Sequence, residues 1–80
     1  LMDNYLENLK FSLIDKVVET MKEQGITAYR IAKDNDINEA YLSRVLNKKT
    51  ITTIDRILIL ADCIGLRVDD IIFRLEVDNK

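Results

Sequence analysis

The sequence predicts an all-α domain, a compact arrangement of five helices with a long first one, and three observations support that prediction. Apolar residues recur at steps of three and four, as in Leu6, Leu9, Leu13, Val17 and Met21, which is the period of a helix with one buried face. Proline is absent, and the two glycines, Gly25 and Gly65, each stand where an apolar helical stretch ends. Eighty residues allow one small domain, which hides only about 60% of the surface its unfolded chain would expose, so the helices must share a single core.

The first helix is expected from Asp3 to Gln24, with Asp3 and Asn4 able to cap its start and Gly25 to end it. Phe11, Ile14 and Val18 form a second stripe beside the first, a wider apolar surface than one neighbour needs. Thr27 can cap a second helix carrying Tyr29, Ile31 and Ala32, which the polar cluster Asp34, Asn35, Asp36 interrupts, and Ile37 is the lone apolar residue of the turn. Asn38 offers the next cap. Beyond it Leu42, Val45 and Leu46 recur at helical spacing, with Glu39, Ala40, Tyr41, Ser43, Arg44 and Asn47 on the other faces.

Lys48, Lys49 and Thr50 read as a loop. Thr52 followed three residues later by Asp55 resembles a capping box and opens a fourth helix. That helix has Ile54, Ile57, Leu58, Ala61 and Ile64 on one side, with Ile59 and Leu60 filling more of the circumference, before Gly65 stops it. Asp69 and Asp70 mark the start of a fifth helix, where negative charge suits the dipole, and Ile71, Ile72, Phe73 and Leu75 are its apolar residues. The alternation of Phe73, Leu75 and Val77 with Arg74, Glu76 and Asp78 fits a short extended tail as well. Leu1, ahead of Met2, reads as a residue left from an expression tag, so a single domain is expected over residues 2–77 with 78–80 as a tail.

Composition narrows the function classes. With 48% apolar and 32% charged residues the chain is an ordinary globular domain. Its longest uninterrupted apolar run, Ile57 to Ala61, is far short of the roughly 18 residues of a spanning helix, and no secretory signal pattern opens it. Cys63 stands alone among Ile59, Leu60, Ala61 and Ile64, where a thiol behaves as a small buried hydrophobe, so no intramolecular disulfide and a reducing cytoplasm are expected. With no His and one Cys, the usual ligand sets for zinc, copper or haem cannot be assembled, and no cofactor is expected. Neither His nor a nucleophile–base pair is present, so the chain is not expected to be an enzyme; Tyr5, Tyr29 and Tyr41 read as packing or phosphate-contacting groups.

The net charge of −2 speaks at first against a nucleic-acid partner, but the charge is unevenly spread. Residues 1–26 carry three basic and five acidic side chains, residues 27–56 six and four, and residues 57–80 three and five. A phosphate backbone responds to local potential, so the question is whether Arg30, Lys33, Arg44, Lys48, Lys49 and Arg56 face one way. Taken alone, such a small excess is what a mixed solvated surface has.

Ile26 to Ile72 resembles the helix-turn-helix domain of the lambda-repressor-like, or XRE and Cro-type, DNA-binding family. The resemblance rests on Ile31 and Ala32, Ile37 in the turn, Leu42, Ser43 and Val45 on the following helix, and the stretch Leu66 to Ile72 after Gly65. Ala32 is small enough for two helices to cross closely, while Ile37, Leu42 and Val45 anchor the second of them with its outer face free for the major groove. The chain departs from the family at Asp36, where Gly is usual, at Ala28, where Gln is frequent, and at Arg67, where a small hydroxyl residue is common. Asp tolerates the left-handed turn geometry, though its charge repels phosphate, and Ala28 lacks a phosphate-contacting group.

Carried over by position, the resemblance implies base reading by Glu39, Ala40 and Arg44, with Tyr41 and Ser43 at the margin of the same face. Arg44 suits guanine O6 and N7, Glu39 the cytosine amino group and Ala40 a thymine methyl. The competing reading of Glu39 and Arg44 as an ion pair is weak, because five residues is poor helical spacing. Backbone contacts are implied for Thr27, Arg30, Asn38, Asn47, Lys48, Lys49, Thr50 and Thr52.

One short helix in one groove binds weakly, so a homodimer on an inverted-repeat operator is expected, with half-sites about 34 to 36 Å apart. Its surface would come from Tyr5, Phe11 and Ile14 or from Phe73, Leu75 and Val77, unless these ends pack on each other. The function implied is a sequence-specific, double-stranded-DNA-binding transcriptional regulator, a repressor or autorepressor, working in the cytoplasm on the nucleoid. The alternative is a protein-binding helix-turn-helix module. Residues 65–80, GLRVDDIIFRLEVDNK, look similar to the close of the amino-terminal domain in some phage anti-CRISPR proteins, which join an autoregulatory DNA-binding domain to an inhibitory second domain.

Overall fold

Polar side chains before three of the helices and a left-handed residue after every one of them divide the chain. The computed structural model describes residues 2–67 and residue 69, with side chains from Asn4 onward. Among these residues the chain forms four α-helices and no strand: α1 (Met2–Gln24), α2 (Ala28–Asn35), α3 (Glu39–Leu46) and α4 (Ile54–Cys63). The fold is therefore all-α, with four helices described rather than five. The expected fifth helix, and with it Ile71, Ile72, Phe73, Leu75 and Val77, lies outside the described residues apart from Asp69.

Thr27 Oγ1 accepts from Arg30 N at 3.1 Å, Asn38 Oδ1 from Tyr41 N at 2.9 Å, and Thr53 Oγ1 from Arg56 N at 3.4 Å. Each side chain satisfies one of the donors left free in a first helical turn. Asp3 and Asn4 are not caps, because α1 already starts at Met2 and they fall within its first turn. Nor does Thr52 cap α4. In the extended backbone before that helix successive side chains point opposite ways, so Thr53 turns to the helix end while Thr52 turns inward and is buried.

α1, α3 and α4 close with the same pair of backbone hydrogen bonds, and in α2 both Asp36 N and Ile37 N reach Ala32 O. In α1, Gly25 N reaches Lys22 O (3.3 Å) and Ile26 N reaches Met21 O (2.9 Å); in α4, Gly65 N reaches Asp62 O (3.0 Å) and Leu66 N reaches Ala61 O (2.9 Å). This closure needs one left-handed residue, which Gly25 (φ 69°) and Gly65 (φ 75°) adopt without a Cβ clash. In α2 and α3 the position falls to Asp36 (φ 55°) and Lys48 (φ 59°). A left-handed residue with a Cβ costs about 1–2 kcal/mol, less for Asp. An apolar residue follows three of these stops, Ile26, Ile37 and Leu66, and each packs against the core.

The core is built from Leu13, Ile14, Val17 and Met21 of α1, Ile31 and Ala32 of α2, Leu42 and Val45 of α3, and Ile57, Leu60 and Ala61 of α4, closed by Ile64 and Leu66. α1 packs against both α4 and α3, and α2 packs against α3. The longest dimension, 35 Å, is that of α1 itself, about 1.5 Å for each of its 23 residues. Its partners have only eight or ten residues, so its first turns project past them. This overhang is why Leu6, in register with the buried stripe, is 41% exposed. Ile14 is a correction in the other direction: it is buried and contributes nothing to an outward apolar surface, which at this end of α1 consists of Tyr5 and Leu6. On α4, Leu60 belongs to the core whereas Ile59 is 58% exposed, since Ile59 lies roughly 200° around the helix from Ile57. No helix among the described residues is long and apolar enough to cross a membrane.

One buried polar group is unsatisfied: Thr20 Oγ1, on the inner side of α1, has no hydrogen-bond partner among the described residues. An unpaired buried hydroxyl costs about 1–3 kcal/mol of desolvation. Thr20→Val, which keeps the shape and removes the oxygen, is expected to leave stability unchanged or raise it by about 1 kcal/mol in urea unfolding. A loss of stability would show that the hydroxyl is in use.

Candidate functional site

α3 brings most of the candidate residues together. Its eight residues sit between the Asn38 cap and the left-handed Lys48, and Leu42 and Val45 fasten its inner side to the core. At about 100° per residue, Glu39, Ala40, Ser43, Arg44 and Asn47 fall within an arc of about 140° on the opposite side. Glu39, Ala40, Arg44 and Asn47 are exposed and Ser43 is half-buried. The Asn47 amide donates to Ser43 O (2.9 Å) and Ser43 Oγ (3.3 Å), which ties these two together at the end of the helix. Neither Glu39 nor Arg44 makes an ion pair among the described residues.

Tyr41 stands at the edge of this face, half-buried. Its hydroxyl donates to Thr52 Oγ1 at 2.8 Å and accepts from Arg56 Nη1 at 3.4 Å. The guanidinium carbons of Arg44 and Arg56 lie 5.9 Å and 6.0 Å from its ring centroid, within reach of cation–π attraction. The Thr52 hydrogen bond, joined by the two guanidiniums, holds the phenol below its usual pKa against the opposing effect of burial. Thr52 is thereby occupied from inside the fold and does not face solvent, contrary to its expected place among backbone-contacting groups.

The remaining cations divide into two sets. Arg30 Nε lies 2.9 Å from Asp34 Oδ2 one turn along α2, and Lys48 Nζ lies 2.8 Å from Asp15 Oδ1 on α1. These pairs are exposed and contribute little stability, but they lower the local positive charge. Lys33 lies 5.9 Å above the Tyr29 ring. Lys49 and Arg56 are exposed, and neither pairs with a carboxylate among the described residues. Next to Arg56, the Asp55 carboxyl is held below the usual carboxylate range, first by a hydrogen bond from Thr53. Thr27 and Asn38 are exposed with their side-chain oxygens engaged as caps, and Thr50 is half-buried.

Arg56, which the sequence offers only as one of the basic residues of the middle segment, takes a place beside Tyr41 that sequence reasoning did not reach. It sits in the first turn of α4, fifteen positions from Tyr41, and no local spacing couples the two. Only the chain reversal between α3 and α4 does so.

Depressions lie both beside α3 and away from it. An apolar groove of about 210 Å³ between α3 and α4 is lined by Ile37, Tyr41, Val45, Thr52 and Ile59. A broader hollow of about 840 Å³ at the α1–α2 junction is lined by Thr27, Tyr29, Arg30, Lys33 and Cys63. The Cys63 thiol in it is pushed up in pKa by burial and by Asp62, which leaves it a poor nucleophile. No group of three His, Cys, Asp or Glu that could hold a metal occurs among the described residues. In comparisons with known proteins, no family model, no curated protein and no solved structure matches this chain.

Proposed function

We propose that the chain is a non-enzymatic, sequence-specific double-stranded-DNA-binding protein of the helix-turn-helix kind, acting as a dimeric repressor or autorepressor on an inverted repeat. The observation that carries this reading is the outer face of α3, where Glu39, Ala40, Arg44 and Asn47 are exposed together and neither Glu39 nor Arg44 has an ion pair among the described residues. α2 and α3 are both short, both capped, joined by three residues and packed on each other, so α3 is held from behind while its polar side stays open. Arg44 is the group for guanine O6 and N7, Ala40 for a thymine methyl, and Asn47 for an adenine edge or a phosphate. Lys49 supplies phosphate contact beside them.

A second reading, a protein-binding module of the same architecture, draws support from a different observation. Arg30 and Lys48 are paired with carboxylates, and the groove between α3 and α4 is apolar with Ile59 exposed at its edge. Fluorescence polarisation with a labelled duplex from the DNA upstream of the chain's own reading frame, beside a mixed-sequence duplex, separates the two. The DNA reading expects tighter binding to the first, with affinity falling steeply between about 50 and 200 mM salt at a log–log slope of about −0.9 per phosphate contacted. Absence of binding to either duplex at low salt would overturn it.

A further inference from the structure

We propose that Tyr41 is a positioning residue that holds Arg44 and Arg56 as a matched pair, Arg44 toward a base edge and Arg56 toward the neighbouring phosphate. The inference rests on the DNA-binding reading above and adds to it a division of labour between two guanidiniums, one of which no motif marks.

The geometry behind it is specific. Arg44 and Arg56 come from different helices, yet both guanidiniums lie about one cation–π distance from the same ring, at 5.9 Å and 6.0 Å. Solvent screens the repulsion between two exposed cations, and the face of an aromatic ring attracts both without neutralising either. The ring is itself fixed. Its hydroxyl donates to the buried Thr52 at 2.8 Å, and Arg56 Nη1 donates to the same oxygen at 3.4 Å. Neither guanidinium has an ion pair among the described residues, although the exposed Asp55 next to Arg56 feels its charge. Both cations therefore keep their charge for an external anion or acceptor. Arg44 lies on the outer face of α3 and Arg56 at the capped start of α4, where free backbone N–H groups also favour an anion. Tyr41, with its hydroxyl used in both directions, has no donor or acceptor left to read a base and acts only through its two neighbours.

The test uses the full chain and two short labelled duplexes, one carrying the sequence enriched from a randomised pool and one of mixed sequence. Arg56→Gln is expected to weaken both by the same factor and to make the salt dependence shallower by about one unit of log–log slope, as a lost phosphate contact does. Tyr41→Leu, which keeps an apolar side chain at the groove, is expected to reduce the preference for the enriched duplex roughly two- to fivefold, the scale of an exposed cation–π contact. Tyr41→Phe, which keeps the ring, is expected to retain the preference. An unchanged salt slope in Arg56→Gln, or an unchanged preference in Tyr41→Leu, overturns the inference even when the parent chain binds DNA and depends on Arg44. If the parent chain binds neither duplex, the inference falls together with the DNA reading.

Discussion

Arg44→Ala is expected to weaken binding to the preferred duplex by about 1–3 kcal/mol, roughly 5- to 150-fold, and to flatten the base preference at one position of each half-site. The effect follows from the geometry of α3 and its neighbours. Arg44 is exposed on the outer face of α3, its guanidinium is oriented by the Tyr41 ring, and nothing anionic among the described residues competes for it. A bidentate guanidinium–guanine contact is among the strongest single discriminating contacts a side chain can make. Truncation removes it without touching the core, since Arg44 belongs to no buried cluster. The thermal midpoint should hardly move, so affinity and stability are measured on the same sample. Equal affinity and an unaltered preference profile in the variant would remove α3 from the role of reading helix.

The largest stability effect is expected at Ile57, which is fully buried at 0% exposure and lies where α4 meets α1. Ile57→Ala deletes most of a core side chain and leaves a cavity, a change that costs about 2–5 kcal/mol. A domain of this size has only about 4–12 kcal/mol in all. The variant should melt at least about 10 °C lower, at 4–8 °C per kcal/mol, or show no cooperative transition. Ile59→Ala, two residues away on the same helix and 58% exposed, should change stability by no more than about 0.5 kcal/mol. Similar losses in both variants, read by circular dichroism melting, would mean that α4 does not face the core as described.

That pair of isoleucines shows how far local pattern reaches. The helical character of residues 54–63 follows from composition and spacing, but with apolar residues at Ile54, Ile57, Leu58, Ile59, Leu60, Ala61 and Ile64 the circumference is nearly all apolar. Spacing places Ile54, Ile57, Leu58, Ala61 and Ile64 on one side, and the packing of the fold buries Ile57, Ala61 and Ile64 there, adds Leu60 and leaves Ile59 outside. Caps behave in the opposite way. Thr27 and Asn38 are recognisable because a cap needs only its own first turn, and Gly25 and Gly65 because a left-handed stop needs only the absence of a Cβ. Asp36 is readable as a left-handed stop because Asp tolerates that geometry, whereas Lys48 carries no such mark, and Thr52 and Thr53 are indistinguishable until the backbone decides which one points outward.

For the site, the outer residues of α3 were legible because one helix with two buried positions fixes its own far side. Arg44 beside Tyr41 follows from helical spacing, since residues three apart are neighbours. Arg56 beside Tyr41, and Lys48 on Asp15, join positions fifteen and thirty-three apart, and only folding brings them within reach. The same reason left the direction of the basic residues open in the sequence. A count along the chain scores Arg30 and Lys48 as available cations, whereas in space Asp34 and Asp15 sit on them.

The amino-acid sequence by itself determined four helical segments, the caps Thr27 and Asn38, an all-helical fold and the polar side of α3, because hydrogen bonds within a turn and the period of a helix are short-range. The tertiary structure decided which apolar residues are core, which cations keep their charge and which arginine joins Arg44, because burial and Coulombic pairing depend on distances between residues that the order of the chain does not set.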